Sequence, residues 1–514
     1  MQKLKEFATF TQKILSLDQV RAIDMNVAAL GISEIGLIDN AGRAVSDFVK
    51  KNVKPGERLL IVCGRGKNGA DGFACAKHMS RDYKVTVALL GSEDAVTSPE
   101  VKFHLESILK NPAITFVDEA EKIISELLKE CDMVVDAIFG TGFHDKLGIG
   151  VAKVVDLMNN SGKSIIAVDI PSGLSDQNKK GKMVHAKYTI TFHKMKEPLV
   201  KNRNAGKVIV ADVGIPIEAE IIVGPGDLYL ASSPRGMYSS KSENGKAVII
   251  GGSKNIHGAP SLSSNSAYST LAALRIGIGY TITCVPRGIA NVVRKVSPDI
   301  IVRETSSQNI STDDLQMLER TVKSADSIVI GPGLGREKES ILAASSLISY
   351  SAKLGKRIIV DADAIYSIKG TQGRLNKSVL LTPNDKEFAS ISNAKIPQDN
   401  LKGRVRAAIR TAKVFNATIL LKGHQTIITD GKIIKIVSPK SSTLATMGTG
   451  DVLSGIIAGY AARNKNILVA ATAAAYLHAI IGDELGKEEG THILASDIVE
   501  RIPMAIKEFD KNVV

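Results

Sequence analysis

The sequence predicts the α/β class: two domains, each a mostly parallel sheet covered by helices in a doubly wound arrangement. Three observations predict it. Strand-like apolar runs alternate with helical patterns along the whole of the 514-residue chain. The runs are near-continuous in Val and Ile rather than alternating, which marks strands buried on both faces. The alternation pauses once, where Gly, Pro and Ser gather in VGPGDLYLASSPRG (Val223–Gly236). That pause places a boundary near residue 230 and gives domains 1–225 and 235–514. A chain of this length exceeds what one hydrophobic core usually serves.

In the first half the strands are RLLIVCG (Arg58–Gly64), YKVTVALLG (Tyr83–Gly91), MVVDAIFG (Met133–Gly140), SIIAVDIP (Ser164–Pro171) and YTITFH (Tyr188–His193). In the second they are KAVIIGG, YTITCVP, SIVIGPG, RIIVDADA, SVLLTPN and TILLKG, all between Lys246 and Gly423. TIITDGKIIKIV then reads as a β-hairpin turning at Asp430-Gly431. These second-half runs end in Gly, Pro, Asp, Asn or Ala, and ligands of open α/β sheets collect at strand carboxyl ends.

Composition narrows the function. The chain is 44% hydrophobic and 23% charged, an ordinary globular balance. It has no uninterrupted apolar run of about 18 residues to cross a membrane, and its N-terminus lacks the apolar core of a secretion signal. Cys63, Cys75, Cys131 and Cys284 form no CxxC pair, so neither zinc nor a dithiol redox site is indicated. Net charge is +13, yet no compact basic block carries interleaved aromatics, aromatic content is 4% and Trp is absent. A nucleic-acid partner is therefore not expected, nor a membrane, whereas a small polyanionic substrate suits the charge. A cytoplasmic homo-oligomer is expected.

CGRGKNGADGFACAKHM (Cys63–Met79) follows a strand and opens a helix, and its glycines let backbone N–H groups approach phosphate. Asp136 and Asp169 terminate two further strands beside Gly/Ser-rich loops. Alone, each reads as a loop-ordering aspartate. Together with Asn68 and Ser172 they supply hard oxygen ligands, so one carboxylate could hold a cation while the other handles protons.

The second half carries the loop GGSKNIHGAP, in which His257 alone proves nothing, and the strand-end turns VIGPGLG and KGHQT. Asp361 and Asp363 in VDADAIYSI read as caps of the next helix. Lys422 could neutralise phosphate or simply extend from the hairpin. In TMGTGDVLSGIIAGY, Val452, Leu453, Ile456, Ile457 and Tyr460 form one helical stripe, so a buried helix starts near Asp451. Asp451 is either that helix's cap or a base beside an anion-binding helix start. The other glycine turns favour the base, which phosphoryl transfer requires.

Residues 15–220 resemble NAD(P)H-hydrate epimerases through LIDNAGRAV, GRGKNGADGFACAKHM, VDAIFGTGF, VDIPSGL and ITFHKMK. The resemblance implies a Rossmann-like three-layer α/β/α domain. It implies a potassium ion on Asn68, Asp136 and Ser172. The hydrated nucleotide would lie among Lys67, Asn68, Gly69, Ala70 and Asp71, the segment Gly140, Thr141, Gly142, Phe143, His144, Asp145 and Lys146, and the catalytic Asp169. The family's Asn-Asn-Gly-Gly-Asp is Lys67-Asn68-Gly69-Ala70-Asp71 here. Lys67 could pair with a diphosphate, and Ala70 requires a backbone without positive φ.

Residues 240–510 resemble the ribokinase-like, ADP- or ATP-dependent NAD(P)H-hydrate dehydratases through GGSKNIHGAP, VIGPGLG, DADA, LTPN, LLKG and GTGDVLSG. By that resemblance Asp451 meets the substrate hydroxyl, with Ala259, Gly335 and Asn384 lining the substrate. Lys422, Gly423, His424, Gln425, Thr426 and Gly450 line the adenine nucleotide. The family's usual His is Asn384 here, which hydrogen-bonds but carries no charge. The expected activity is repair of NADHX and NADPHX by epimerisation and dehydration, with ADP as phosphoryl donor, ATP as its alternative, and Mg²⁺. Two rivals share these residues: a ribokinase-like small-molecule kinase, and a chain whose first domain is a silent interaction scaffold.

Overall fold

The computed structural model describes residues 4–143, 146–254, 265–392, 396–397 and 399–509. The chain forms two compact units, one from Gln12 to Ala219 and the other from Glu220 onward together with the residues up to Thr11.

The first unit holds seven parallel strands: β1 (Arg58–Cys63), β2 (Lys84–Leu89), β3 (Ile114–Val117), β4 (Met133–Ala137), β5 (Ser164–Val168), β6 (Tyr188–Phe192) and β7 (Lys207–Ala211). Their order is β3-β2-β1-β4-β5-β6-β7. The direction of winding reverses between β1 and β4, and that crevice is where ligands of such sheets bind. Helix α1 (Lys67–Met79) leaves β1 there. It lies very close to the strands: a Cβ on Gly69 would stand 1.8 Å from the Gly64 carbonyl, and one on Gly72 would stand 2.7 Å from both Ala137 Cβ and Cys63 Sγ. Ala70 sits buried within α1 and is absent from the residues of positive φ. The alanine therefore fits the loop without strain.

In the second unit the strands are β8 (Lys246–Ile250), β9 (Tyr280–Pro286), β10 (Val302–Thr305), β11 (Ser327–Ile330), β12 (Arg357–Val360), β13 (Val379–Leu381), β14 (Thr418–Leu421), β15 (Thr426–Thr429) and β16 (Ile434–Val437). The order β10-β9-β8-β11-β12-β13-β14 is parallel and repeats the winding of the first unit; β15 and β16 add an antiparallel hairpin. The hairpin turn is ordered by Asp430, whose Oδ1 accepts from Lys432 N and Ile433 N at 2.8 Å each.

Two helices over this sheet position the candidate site. Helix α2 (Ser266–Arg275) and helix α3 (Thr449–Arg463) cross at close range. Gly455 and Gly459 permit it: a Cβ on Gly455 would lie 2.2 Å from Ser269 O, and one on Gly459 would lie 2.6 Å from Ile276 Cβ. Helix α4 (Ile467–Glu488) is long and apolar enough to cross a membrane, but its hydrophobic window is 72% buried within the fold, as a core helix is. The four cysteines are all buried and free.

The strands read from apolar runs are all present. Three more in the two large sheets, β3, β7 and β10, were not expected, and each is only partly buried.

Candidate active sites in the two domains

At the first crevice Asp136, the penultimate residue of β4, is fully buried. Ser172 Oγ donates to its Oδ1 at 2.6 Å, Ser172 N to its Oδ2 at 2.8 Å and Ile138 N to its Oδ1 at 3.3 Å. Burial outweighs these bonds and pushes the carboxyl up to about 6. Ser172 Oγ also accepts from Phe139 N at 2.9 Å and lies 3.3 Å from Phe139 O. On the other side of the same turn, a Cβ on Gly140 would stand 2.9 Å from Asn68 Oδ1. Both amide atoms of Asn68 are buried without a hydrogen-bond partner. An orphaned carbonyl oxygen, a serine oxygen and a buried carboxylate thus converge on the Phe139–Gly140 turn, a hard donor set that fits a monovalent or divalent cation.

Thr141, Gly142 and Phe143 continue that turn, and the Phe143 ring stacks on Phe139 with centroids 4.8 Å apart. His144 and Asp145 lie outside the described residues. Lys146 is exposed. Lys67, at the start of α1, is ion-paired with Glu34, so a diphosphate would have to compete for it. Asp71, also on α1, is held well above the usual carboxylate range by burial and by the charge of Asp169.

Asp169 follows β5 in the left-handed region, φ +66°. Such a backbone is costly for a side-chain-bearing residue and concentrates at functional sites. Lys196 is ion-paired with its Oδ1, and Thr191 Oγ1 donates to the same oxygen at 3.2 Å. Neither Lys196 nor Thr191 was singled out from sequence, although ITFHKMK contains both.

In the second unit, helix α3 begins at Thr449 with Gly448 as its N-cap, in the left-handed region at φ +87°. Asp451 is the third helical residue and does not cap. Its Oδ2 accepts from Asn265 Nδ2 at 2.9 Å, and its carbonyl accepts from Ser269 Oγ at 2.8 Å. Burial, and then the charge of Asp361, push its carboxyl up to about 7. A base titrating there is matched to neutral pH.

Asp361, the residue after β12, stands at the N-cap position of the helical turn that follows, but its side chain makes no capping bond. Its Oδ1 accepts from Lys422 Nζ at 2.8 Å and Thr382 Oγ1 at 2.7 Å, and its Oδ2 from Ser454 Oγ at 2.6 Å. Burial opposes its charge, but Lys422 and the hydroxyls hold it below the usual carboxylate range. Lys422 is likewise desolvated, yet Asp361 and Glu387 keep its proton affinity high. A Cβ on Gly450 would stand 3.5 Å from Lys422 Nζ, so the lysine reaches the start of α3. Helix N–H groups and an ammonium there make an anion site.

Gly335 takes φ +82°, and a side chain on it would meet Glu337 and Ser253. Its N–H and Arg336 Nε donate to Asp363 at 3.2 and 2.7 Å. Asn384 opens the next helix in a reciprocal cap: Asn384 N donates to Glu387 Oε2 at 2.8 Å, and Glu387 N to Asn384 Oδ1 at 3.0 Å. Its amide nitrogen is left for a ligand. Gly423 and His424 follow Lys422, Gln425 Nε2 donates to Ser438 Oγ at 3.1 Å, and Thr426 opens β15. Ala259 and His257 lie outside the described residues.

Comparison with known proteins agrees with this division. Residues 34–197 match the family model described as YjeF-related protein N-terminus, and residues 247–504 match the one described as NAD(P)H-hydrate dehydratase. A bifunctional NAD(P)H-hydrate repair enzyme of Pyrobaculum aerophilum is 33% identical over 97% of this chain and 99% of its own length. The chain belongs to the bifunctional NAD(P)H-hydrate repair enzymes. A second relative of the same description, from Methanothermobacter thermautotrophicus, is 33% identical over 94% of this chain and 93% of its own. A ribokinase-like superfamily protein of Enterococcus faecalis, solved by crystallography, covers 57% of this chain and 96% of its own at 26% identity and a TM-score of 0.50. That likeness supports the ribokinase-like fold of the repair enzyme's second domain. Asn265 was not singled out from the sequence and Asp361 was read only as a cap; both meet partners distant along the chain.

Proposed function

We propose that the first domain interconverts the R and S epimers of NADHX and NADPHX, and that the second dehydrates the S epimer at the expense of ADP. The hydrated ring's hydroxyl is a poor leaving group. Asp451 takes the hydroxyl proton as that oxygen attacks the terminal phosphorus of ADP; AMP leaves, and the phosphate ester then eliminates phosphate to restore the ring double bond. Lys422 and the N–H groups at the start of α3 face the phosphoryl group, where charge develops. Asn265 fixes the direction of the Asp451 carboxylate. The Lys422–Thr426 segment and Gly450 line the nucleotide; Gly335 and Asn384 line the hydrated ring.

The observation that carries this reading is the placement of Asp451: free of any capping duty, steered by Asn265, beside Lys422, and pushed up to about 7. ATP is the alternative donor. Among the described residues no group of three His, Cys, Asp or Glu side chains is placed to hold a metal, so Mg²⁺ would be carried on the nucleotide phosphates.

In the first domain Asn68, Asp136 and Ser172 would hold a potassium ion, which when bound supplies positive field beside the substrate's oxygens. Asp169 reaches the reacting carbon's substituents, and Lys67 and Asp71 border the nucleotide.

A coupled assay on mixed epimers with ADP tests both halves by absorbance at the reduced-nicotinamide band. Wild type converts the mixture completely. Asp451→Ala forms no reduced nucleotide yet still equilibrates the epimers. A stable phosphorylated product without reduced nucleotide would instead identify a small-molecule kinase.

A further inference from the structure

Lys196 is a lysine in an unusual place. Its side chain is 2% exposed, and a buried ammonium is tolerated only where it is paired and hydrogen-bonded. Its three partners lie on or beside β6 and β5: the Asp169 carboxylate, Thr191 Oγ1 at 2.8 Å and Phe192 O at 3.0 Å. Its backbone is pinned as well, because Met195–Lys196 pairs in parallel with Ile14–Leu15.

The bonds around Asp169 are one-sided. Lys196 Nζ, Thr191 Oγ1 and Phe192 N, the last at 3.4 Å, all reach Oδ1. None reaches Oδ2, and Oδ2 is not among the buried oxygens that lack a partner. The Asp169 side chain keeps 11% exposure. One oxygen is clamped and the other is left open, on a residue whose own backbone is held at φ +66°.

We propose that Lys196 and Thr191 are positioning residues of the epimerase site: they lock Oδ1 of Asp169 so that Oδ2 is the oxygen presented to the hydrated nicotinamide ring. The proposal rests on the epimerase reading of the first domain. Lys196 touches no substrate; it acts through the carboxylate. A structural ion pair would have no need of an open oxygen, a left-handed aspartate or a second donor to the same atom.

The test uses the full chain and follows consumption of the R epimer with excess ADP. Lys196→Met is expected to lower kcat for epimerisation about 100-fold, the scale of a misplaced reacting group, with KM changed less than about threefold. Thr191→Val, near-isosteric, is expected to lower it about tenfold, the loss of one hydrogen bond to a charged group. Dehydration of purified S epimer should be unchanged in both. Because Lys196→Met leaves Asp169 without its counter-charge, the double variant Lys196→Met/Asp169→Asn, which removes both charges, guards against misfolding: it should melt as wild type does and remain inactive. Unchanged kcat in Thr191→Val and Lys196→Met, equal changes in kcat and KM, or an active double variant would each overturn the proposal. Failure of the wild type to consume the R epimer would instead defeat the underlying reading.

Discussion

Each domain sets an aspartate–lysine pair at the same place in its sheet, and the two pairs are bonded differently. Asp169 follows β5 and Asp361 follows β12, each the fifth strand of a sheet wound in the same order. Lys196 meets the first and Lys422 the second. Around Asp169 every bond falls on one oxygen. Around Asp361 both oxygens are taken, by Lys422, Thr382 and Ser454. The left-handed backbone also shifts by one position, from Asp169 itself at φ +66° to Ala362 at φ +48°. The sheet thus fixes where a carboxylate stands, but the bonds it accepts decide whether it can react. In the second domain the charge of the saturated Asp361 raises the proton affinity of Asp451, the base in the proposed reaction.

The largest effect that would break this contrast is kinetic. Asp169→Asn should slow epimerisation by roughly 10³-fold, the range of a lost acid–base group, while S-epimer dehydration continues. It also leaves Lys196, 2% exposed, without its counter-charge, so the first domain should lose ~3 kcal/mol yet stay folded, because Thr191 Oγ1 and Phe192 O remain as acceptors; circular dichroism and the epimerase rate check both points. Asp361→Asn should behave differently. It leaves Lys422, 22% exposed and still beside Glu387, without its ion-pair partner and should cost the second domain only about 1 kcal/mol, read as a slightly lower denaturant midpoint. A full loss of dehydration with no shift of that midpoint would show that Asp361 reacts directly.

The pH profile sharpens the comparison further. Dehydration should rise with pH through about 7, because Asp451 must lose its proton to act. Replacing Asp361 by Asn removes the neighbouring negative charge, so the limb should move to lower pH. Asn265→Ala removes a bond to the charged form, so the limb should move up. Rates measured between pH 5 and 9, as a range of about two units on either side, distinguish the two directions.

The smallest effect is on stability. The folded value of Asp451, about 7, lies above its ordinary value of 3.8. Between those values the folded chain binds a proton that the unfolded chain releases. That stabilising contribution is present below the unfolded value and is lost as pH rises through the folded one. Asp451→Asn should therefore melt with wild type at pH near 4 and several degrees above it at pH near 8.

Much of this was legible in the sequence. The Val/Ile runs gave the buried strands, and glycine turns marked the strand ends where Asp136 and Asp169 stand and the helix start where Asp451 stands. What stayed hidden was pairing. Asn265 and Asp451 are 186 residues apart, Asp361 and Lys422 are 61 apart, and Asp169 and Lys196 are 27 apart. No local pattern announces such partners; the fold brings them together. The reading of Asp361 as a helix cap was right about its position and missed its side-chain partners for that reason. Capping is a local habit of strand-end aspartates, and here a lysine, a threonine and a serine from three other segments take its oxygens.

The glycines within α3 have a consequence for chemistry. Asp451 heads one helix and Asn265 immediately precedes another, and the two helices touch through Gly455 and Gly459 with no room for a methyl group. The crossing therefore works as a gauge block: its thickness sets the gap between base and steering amide. An alanine at Gly455 would thicken the block, and the active site would lose its spacing through a residue that meets no ligand.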